Sequence, residues 1–206
     1  MTISGRSDRS GRITQRRSGS WGSTSQDMLT VVARLFRLSN AEAKSQPDKN
    51  HSRYVYAGIP LLLAAVQSFA VEYEGMLSLE PLPIELSADS LARLMETRYG
   101  VSGSILEDLR DLIEIRNEII HPVPLPAGTA DNWPEYLRRI KQKGLLSSTG
   151  RPDSDYIMLG QIASHRLFKW AIAVTKNLYA VIIASDSAKV RMFQPFLDPN
   201  FESFFG

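Results

Sequence analysis

Between Arg116 and Pro122 the chain reads R-N-E-I-I-H-P, and two of these side chains are suited to phosphate and proton chemistry. A guanidinium is a permanent cation whose planar fork of donors fits a phosphate or carboxylate. An imidazole has a free pKa near 6.5 and can take or give a proton close to neutrality. His121 follows Arg116 by five residues, about 140° further round a helix, and Pro122 biases the His121 backbone out of the helical region. The spacing therefore predicts a helix that stops at His121, where the macrodipole favours a charged imidazole. Asn117, one turn earlier, is placed to orient that ring or to touch a ligand.

The element that carries these residues runs from Ser104 to His121. Wound as a helix, Ile105, Leu106, Leu109, Leu112, Ile113, Ile115, Ile119 and Ile120 collect on one broad face that must be buried. Arg116 falls near the centre of that face. A charge there survives only if paired, hydrogen-bonded or turned to a wet cleft. Arg116 thus has either a carboxylate partner from a neighbouring helix or a site where an anion sits. His121 before proline is equally met by a simple helix cap. Glu107, Asp111, Glu114 and Glu118 fall on the opposite side, which is expected to be plain surface.

The segment Arg116-Asn117-Glu118-Ile119-Ile120-His121 at the end of an apolar helix resembles the signature of the HEPN superfamily. There an Arg, usually followed by a polar residue such as Asn, precedes a His with four to six residues between. The resemblance implies a small helical bundle that dimerises so that two motifs line one cleft. It also implies a metal-independent endoribonuclease of prokaryotic defence, toxin–antitoxin or RNA-processing systems, with RNA as substrate and an antitoxin or sensor protein as a possible regulator. Arg116 would hold the scissile phosphate, His121 would move the proton, Asn117 would support them, and the product would carry a 2′,3′-cyclic phosphate. One subgroup, paired with a nucleotidyltransferase antitoxin, carries Tyr two residues after the His; Val123 stands there in this chain. Some members lack nuclease activity and act as binding modules, so a non-catalytic helical interaction module for a protein or nucleotide is the alternative.

The 206 residues are 43% hydrophobic, enough for a core, and the net charge of +2 does not by itself argue for nucleic acid. There is no cysteine, which excludes disulfides and thiol chemistry and suits a reducing cytoplasm. The three histidines, His51, His121 and His165, follow no metal-ligand spacing, so neither a metal nor another cofactor is expected. Residues 1 to 24, rich in Ser, Gly and Arg, read as a disordered tail. No secretory apolar run follows the early arginines. From 25 to 190 the pattern is helical and strand signals are weak, which predicts an all-α bundle.

Helical stretches are expected from Ser25, a candidate N-cap, to before Pro47; over Tyr54 to Leu79; over Ala88 to Tyr99; from the N-cap candidate Ser104 to His121; and over Leu159 to Ser185. The second of these is apolar nearly all round. Its uninterrupted apolar part is shorter than the ~20 residues a membrane span needs, so it reads as a buried central helix and no membrane is expected. A short basic helix follows the motif, with Arg138, Arg139, Lys141 and Lys143 beside Trp133 and Tyr136. Basic residues among aromatics are compatible with RNA contact, and equally with a solvated helix anchored by two rings. His165 reads as a second site residue or a hydrogen-bonded structural group. Residues 191 to 206 hold Phe193, Phe196, Phe201, Phe204 and Phe205, which need a surface to cover.

Overall fold

A computed structural model describes residues 23–77, 88–121, 133–148, 159–185 and 201–205, and these are helical with no strand among them. The helices are α1 (Thr24–Ser45), α2 (Val55–Leu77), α3 (Ala88–Tyr99), α4 (Gly103–Ile120), α5 (Glu135–Gln142), α6 (Leu159–Ile162), α7 (His165–Ala184) and α8 (Phe201–Phe205). The fold is therefore all-α, as the periodicity predicts.

α2 is the central helix. It packs against α1, α3, α4 and α7, and Val55, Ile59, Leu62, Ala65, Val66, Phe69 and Tyr73 are fully or almost fully buried. Most of its apolar surface therefore meets a neighbour, and a stripe through Ala57, Leu61, Ala64 and Ser68 is left partly open. α2 and α7 are each long and apolar enough to cross a membrane by length and composition alone; here they face each other across the core. Phe69 stacks on Tyr179 with centroids 4.1 Å apart, and the Tyr179 hydroxyl donates to the Ala65 carbonyl at 3.0 Å.

Two carboxylates of α2 are paired within the bundle. Glu72 of α2 accepts hydrogen bonds from the Ser23 and Ser25 hydroxyls at 2.8 and 2.9 Å and from the Ser25 amide at 3.2 Å. The N-cap of α1 is thus Ser23, whose hydroxyl accepts from the Gln26 amide, while Ser25, the expected cap, is buried two residues further on, bound to Glu72. Glu74, also buried, is held by the Tyr99 hydroxyl at 2.6 Å and Arg98 Nε at 3.2 Å, which ties α3 to α2.

Three expectations along the chain need correction. The run expected as one helix from Leu159 to Ser185 is broken at Ala163 and Ser164, because Ser164 turns its hydroxyl to the Leu167 amide and starts α7 as an N-cap. α4 begins two residues earlier than expected, after Ser102. Asp111 is not surface: it is 0% exposed. The reason is α5, whose Arg139 places Nε 3.1 and 3.2 Å from both Asp111 oxygens, with Lys143 Nζ 3.6 Å from the same carboxylate.

At the chain's end, Phe201 packs edge-on to Tyr179 and Phe205 edge-on to Phe36. These aromatics strap onto the bundle. Phe193 and Phe196, the basic tail before Ser23 and Val123 lie outside the described residues.

Candidate functional site

α4 is fixed by its apolar face. Leu109, Leu112, Ile113 and Ile115 are buried against the core formed with α2 and α7. That anchoring sets the orientation of the last turn, which carries Arg116, Asn117 and His121. The helix ends where proline requires it to. His121 is the C-cap, at φ −128° and ψ 67°, and its amide donates to the Asn117 carbonyl at 2.8 Å.

Arg116 is half-buried, and its Nη1 donates to Asn117 Oδ1 at 3.0 Å. None of the ion pairs among the described residues includes it. Of the two readings open at the sequence level, the described carboxylates therefore supply no partner for this guanidinium. A neutral amide oxygen leaves its charge uncompensated. Asn117 holds the group together, its side chain accepting from Arg116 and its backbone carbonyl from His121. The imidazole of His121 is exposed to solvent at the negative end of the α4 macrodipole. The end of α4 thus presents a tethered guanidinium without a carboxylate among the described residues and an accessible imidazole. Ile119 packs on the core as expected, but Ile120 is 40% exposed, so the apolar face narrows before the helix ends.

The basic residues of α5 are not gathered into one patch. Arg139 is committed to buried Asp111, and it also meets Glu135 at 2.8 Å; hydrogen bonding to Asp111 leads the causes that raise its pKa. Lys143 is paired with Asp108 and lies 5.3 Å over the Trp170 ring, and Lys141 sits 4.6 Å over Trp133. Arg138 is exposed. Leu137 and Ile140 are buried beneath them. Two of these four cations, Arg139 and Lys143, therefore hold α5 to the acidic side of α4. Tyr136 adds a contact at the motif itself, its hydroxyl donating to Glu118 at 3.4 Å. Burial above all, then the charges of Glu118 and Glu114, raises the phenol's pKa.

His165 is far from bare. Its Nδ1 lies 2.9 Å from the Ser39 hydroxyl, and its ring stacks on Phe36 at 5.0 Å. Burial, then the charges of Lys169 and Lys44, lowers its pKa. This is the hydrogen-bonded structural group that a histidine at a helix start can be. Among the described residues no group of three His, Cys, Asp or Glu side chains is placed to hold a metal ion.

Sequence reasoning missed Asp111 as a buried partner. The signal was present in two rows that match: acids along α4 and cations along α5, each repeating at three or four residues. Compared with known proteins, the chain matches no family model, no curated protein and no solved structure.

Proposed function

We propose that this protein is a metal-independent endoribonuclease of the HEPN type, acting as a homodimer. The observation that carries the reading is the Arg116 guanidinium, half-buried without a carboxylate among the described residues, five residues before an exposed His121. Arg116 binds the scissile phosphate and stabilises the charge that grows on its oxygens. His121 takes the proton from the ribose 2′-hydroxyl as the 2′-oxygen attacks phosphorus. The bond to the 5′-oxygen breaks, that oxygen leaves with a proton from the second copy's His121, and a 2′,3′-cyclic phosphate remains. Asn117 keeps the guanidinium aimed.

Two copies answer a geometric need, since Arg116 and His121 diverge on one helix and a two-fold axis brings a second pair to the same phosphate. Exposed Ile120, beside His121, offers the apolar contact at such an interface. The reading places the protein in a cytoplasm, restrained by an antitoxin or sensor protein, in defence or RNA processing.

The test is incubation of the protein and its His121→Ala variant with total cellular RNA in excess EDTA, followed by analysis of product ends. Cleavage by the wild type alone, with cyclic-phosphate ends, supports the reading. Equal cleavage by both, or none by a folded dimer, removes it. The second reading is a non-catalytic interaction module. It draws on Val31 and Leu38, both exposed and seven residues apart on one stripe of α1.

A further inference from the structure

Two of the three large hydrophobic residues exposed among the described residues, Val31 and Leu38, lie on one stripe of α1. Met28 and Leu35, half-buried, fall on the same stripe at three- and four-residue steps. Apolar side chains gathered on one open face, rather than scattered singly, mark a docking surface.

The neighbouring helix leaves a stripe beside it. Ala57, Leu61, Ala64 and Ser68 of α2 are exposed or half-buried, and from Tyr54 to Val71 the chain carries no charged residue. Two polar staples fix how the stripes lie. At one end the Ser23 hydroxyl donates to Glu72 at 2.8 Å. At the other Glu42 accepts the Arg53 amide at 3.1 Å and pairs with its Nε at 3.4 Å. The two helices are thus antiparallel and in one register between the staples. Leu38 stands four residues inside Glu42 and Ala57 four inside Arg53, so these two are level. Val31 stands eight inside Ser23 and Ala64 eight inside Glu72, so they are level too.

The face therefore has a bulky half and a small half side by side. α1 raises two knobs about 10.5 Å apart along its axis, and α2 offers two alanines at the same spacing and the same heights. Such a surface is complementary to itself. A two-fold axis running along the helices keeps every height and exchanges the halves, so it lays Leu38 over the partner's Ala57 and Val31 over the partner's Ala64, knobs into holes. This match of spacing and height favours a second copy over an unrelated protein or a lipid surface, neither of which requires it.

We infer that the α1–α2 face joins two copies of this chain, each α1 packing on the partner's α2. No residue of α4 takes part, so the inference does not rest on the ribonuclease reading, and this axis is additional to the one that reading calls for at the motif. The test is sedimentation velocity of the full chain from about 5 to 200 µM, where a face of modest size gives reversible association with a Kd of roughly 1–100 µM. In Val31→Glu/Leu38→Glu, which changes two exposed positions, the mass at the highest concentration falls by half while circular dichroism stays unchanged. RNA cleavage is no part of this readout, so its failure and that of the ribonuclease reading are told apart. The chain has no cysteine, so mild oxidation of mixed single variants reads the register. Leu38→Cys with Ala57→Cys forms the mixed disulfide, whereas Leu38→Cys with Ala64→Cys, offset by about 10.5 Å along the helix, lies beyond the ~7 Å Cα separation a disulfide spans. The inference is overturned by a wild type that stays monomeric, by a folded double variant of unchanged mass, or by equal cross-linking of the two pairs. Those are the outcomes if the face holds another protein, a lipid surface or another segment of this chain.

Discussion

Removing one partner of a buried ion pair strands the other, and the damage depends on which charge is left without water. Asp111 is 0% exposed whereas the Arg139 side chain is 33% exposed. In Arg139→Ala the carboxylate stays in the interior with Lys143, 3.6 Å away, as its remaining close cation. Orphaning a buried charge typically costs about 3–5 kcal/mol, and the surviving lysine places this case near the lower end, about 3 kcal/mol. In Asp111→Ala the guanidinium keeps Glu135 at 2.8 Å and rehydrates, so the loss is about 1–2 kcal/mol. The double variant removes the stranded charge and should fall at least about 2 kcal/mol short of additivity. Urea unfolding followed by tryptophan fluorescence measures all four corners of the cycle, with Trp133 and Trp170 beside the cations of α5. If Arg139→Ala costs no more than Asp111→Ala, or if the two effects add within about 0.5 kcal/mol, the argument from exposure is wrong.

Two further outcomes follow from the interior. Burial together with Lys169 and Lys44 holds His165 below its ordinary pKa, so the unfolded chain binds a proton that the folded chain disfavours. Stability therefore rises with pH in this window and is lost as pH falls below the unfolded value of about 6.5; His165→Gln should flatten that slope in unfolding curves taken at about pH 7.5, 6 and 5. A Cβ on Gly58 would sit 2.7 and 2.8 Å from Phe168 Cε2 and Cε1 and closer still to Cζ. Gly58→Ala should thus cost about 3 kcal/mol in thermal unfolding, part of it recovered by Phe168→Leu.

Much of the fold is legible in the residues because helix periodicity and caps are local. Gly103 and Pro122 bracket α4 within a residue or two, and the apolar character of α2 announces a helix with several neighbours. What stayed hidden depends on neighbours distant in sequence. Asp111 looks like surface on its own helix and becomes interior only when Arg139, 28 residues later, arrives to meet it. Ser25 makes a plausible cap by local rules, but Glu72, 47 residues away, claims its hydroxyl. The grouping of Arg116, Asn117 and His121 is readable from spacing, since all three lie within six consecutive residues at the end of one helix. By contrast the groove lined by Phe36, Ile172 and Phe205 is assembled from α1, α7 and α8, and no single window of sequence contains it.

The connection between α1 and α2 bears on how the chain comes to be folded in time. Asn50 accepts the His165 amide on its carbonyl and the Arg166 amide on its side chain, at 3.0 and 3.1 Å. Ser52 donates its amide to Ala163 at 2.8 Å, and Ser147 and Ser148 donate to the Lys49 carbonyl. These partners stand 98 and 116 residues apart for Ser147 with Lys49 and Arg166 with Asn50. A nascent chain emerging from the ribosome can pair α1 with α2 early, yet the turn joining them keeps open backbone acceptors until Arg166 has been made. Closure of that seam is a late, non-local event, and it converts a set of local helices into one cooperative unit.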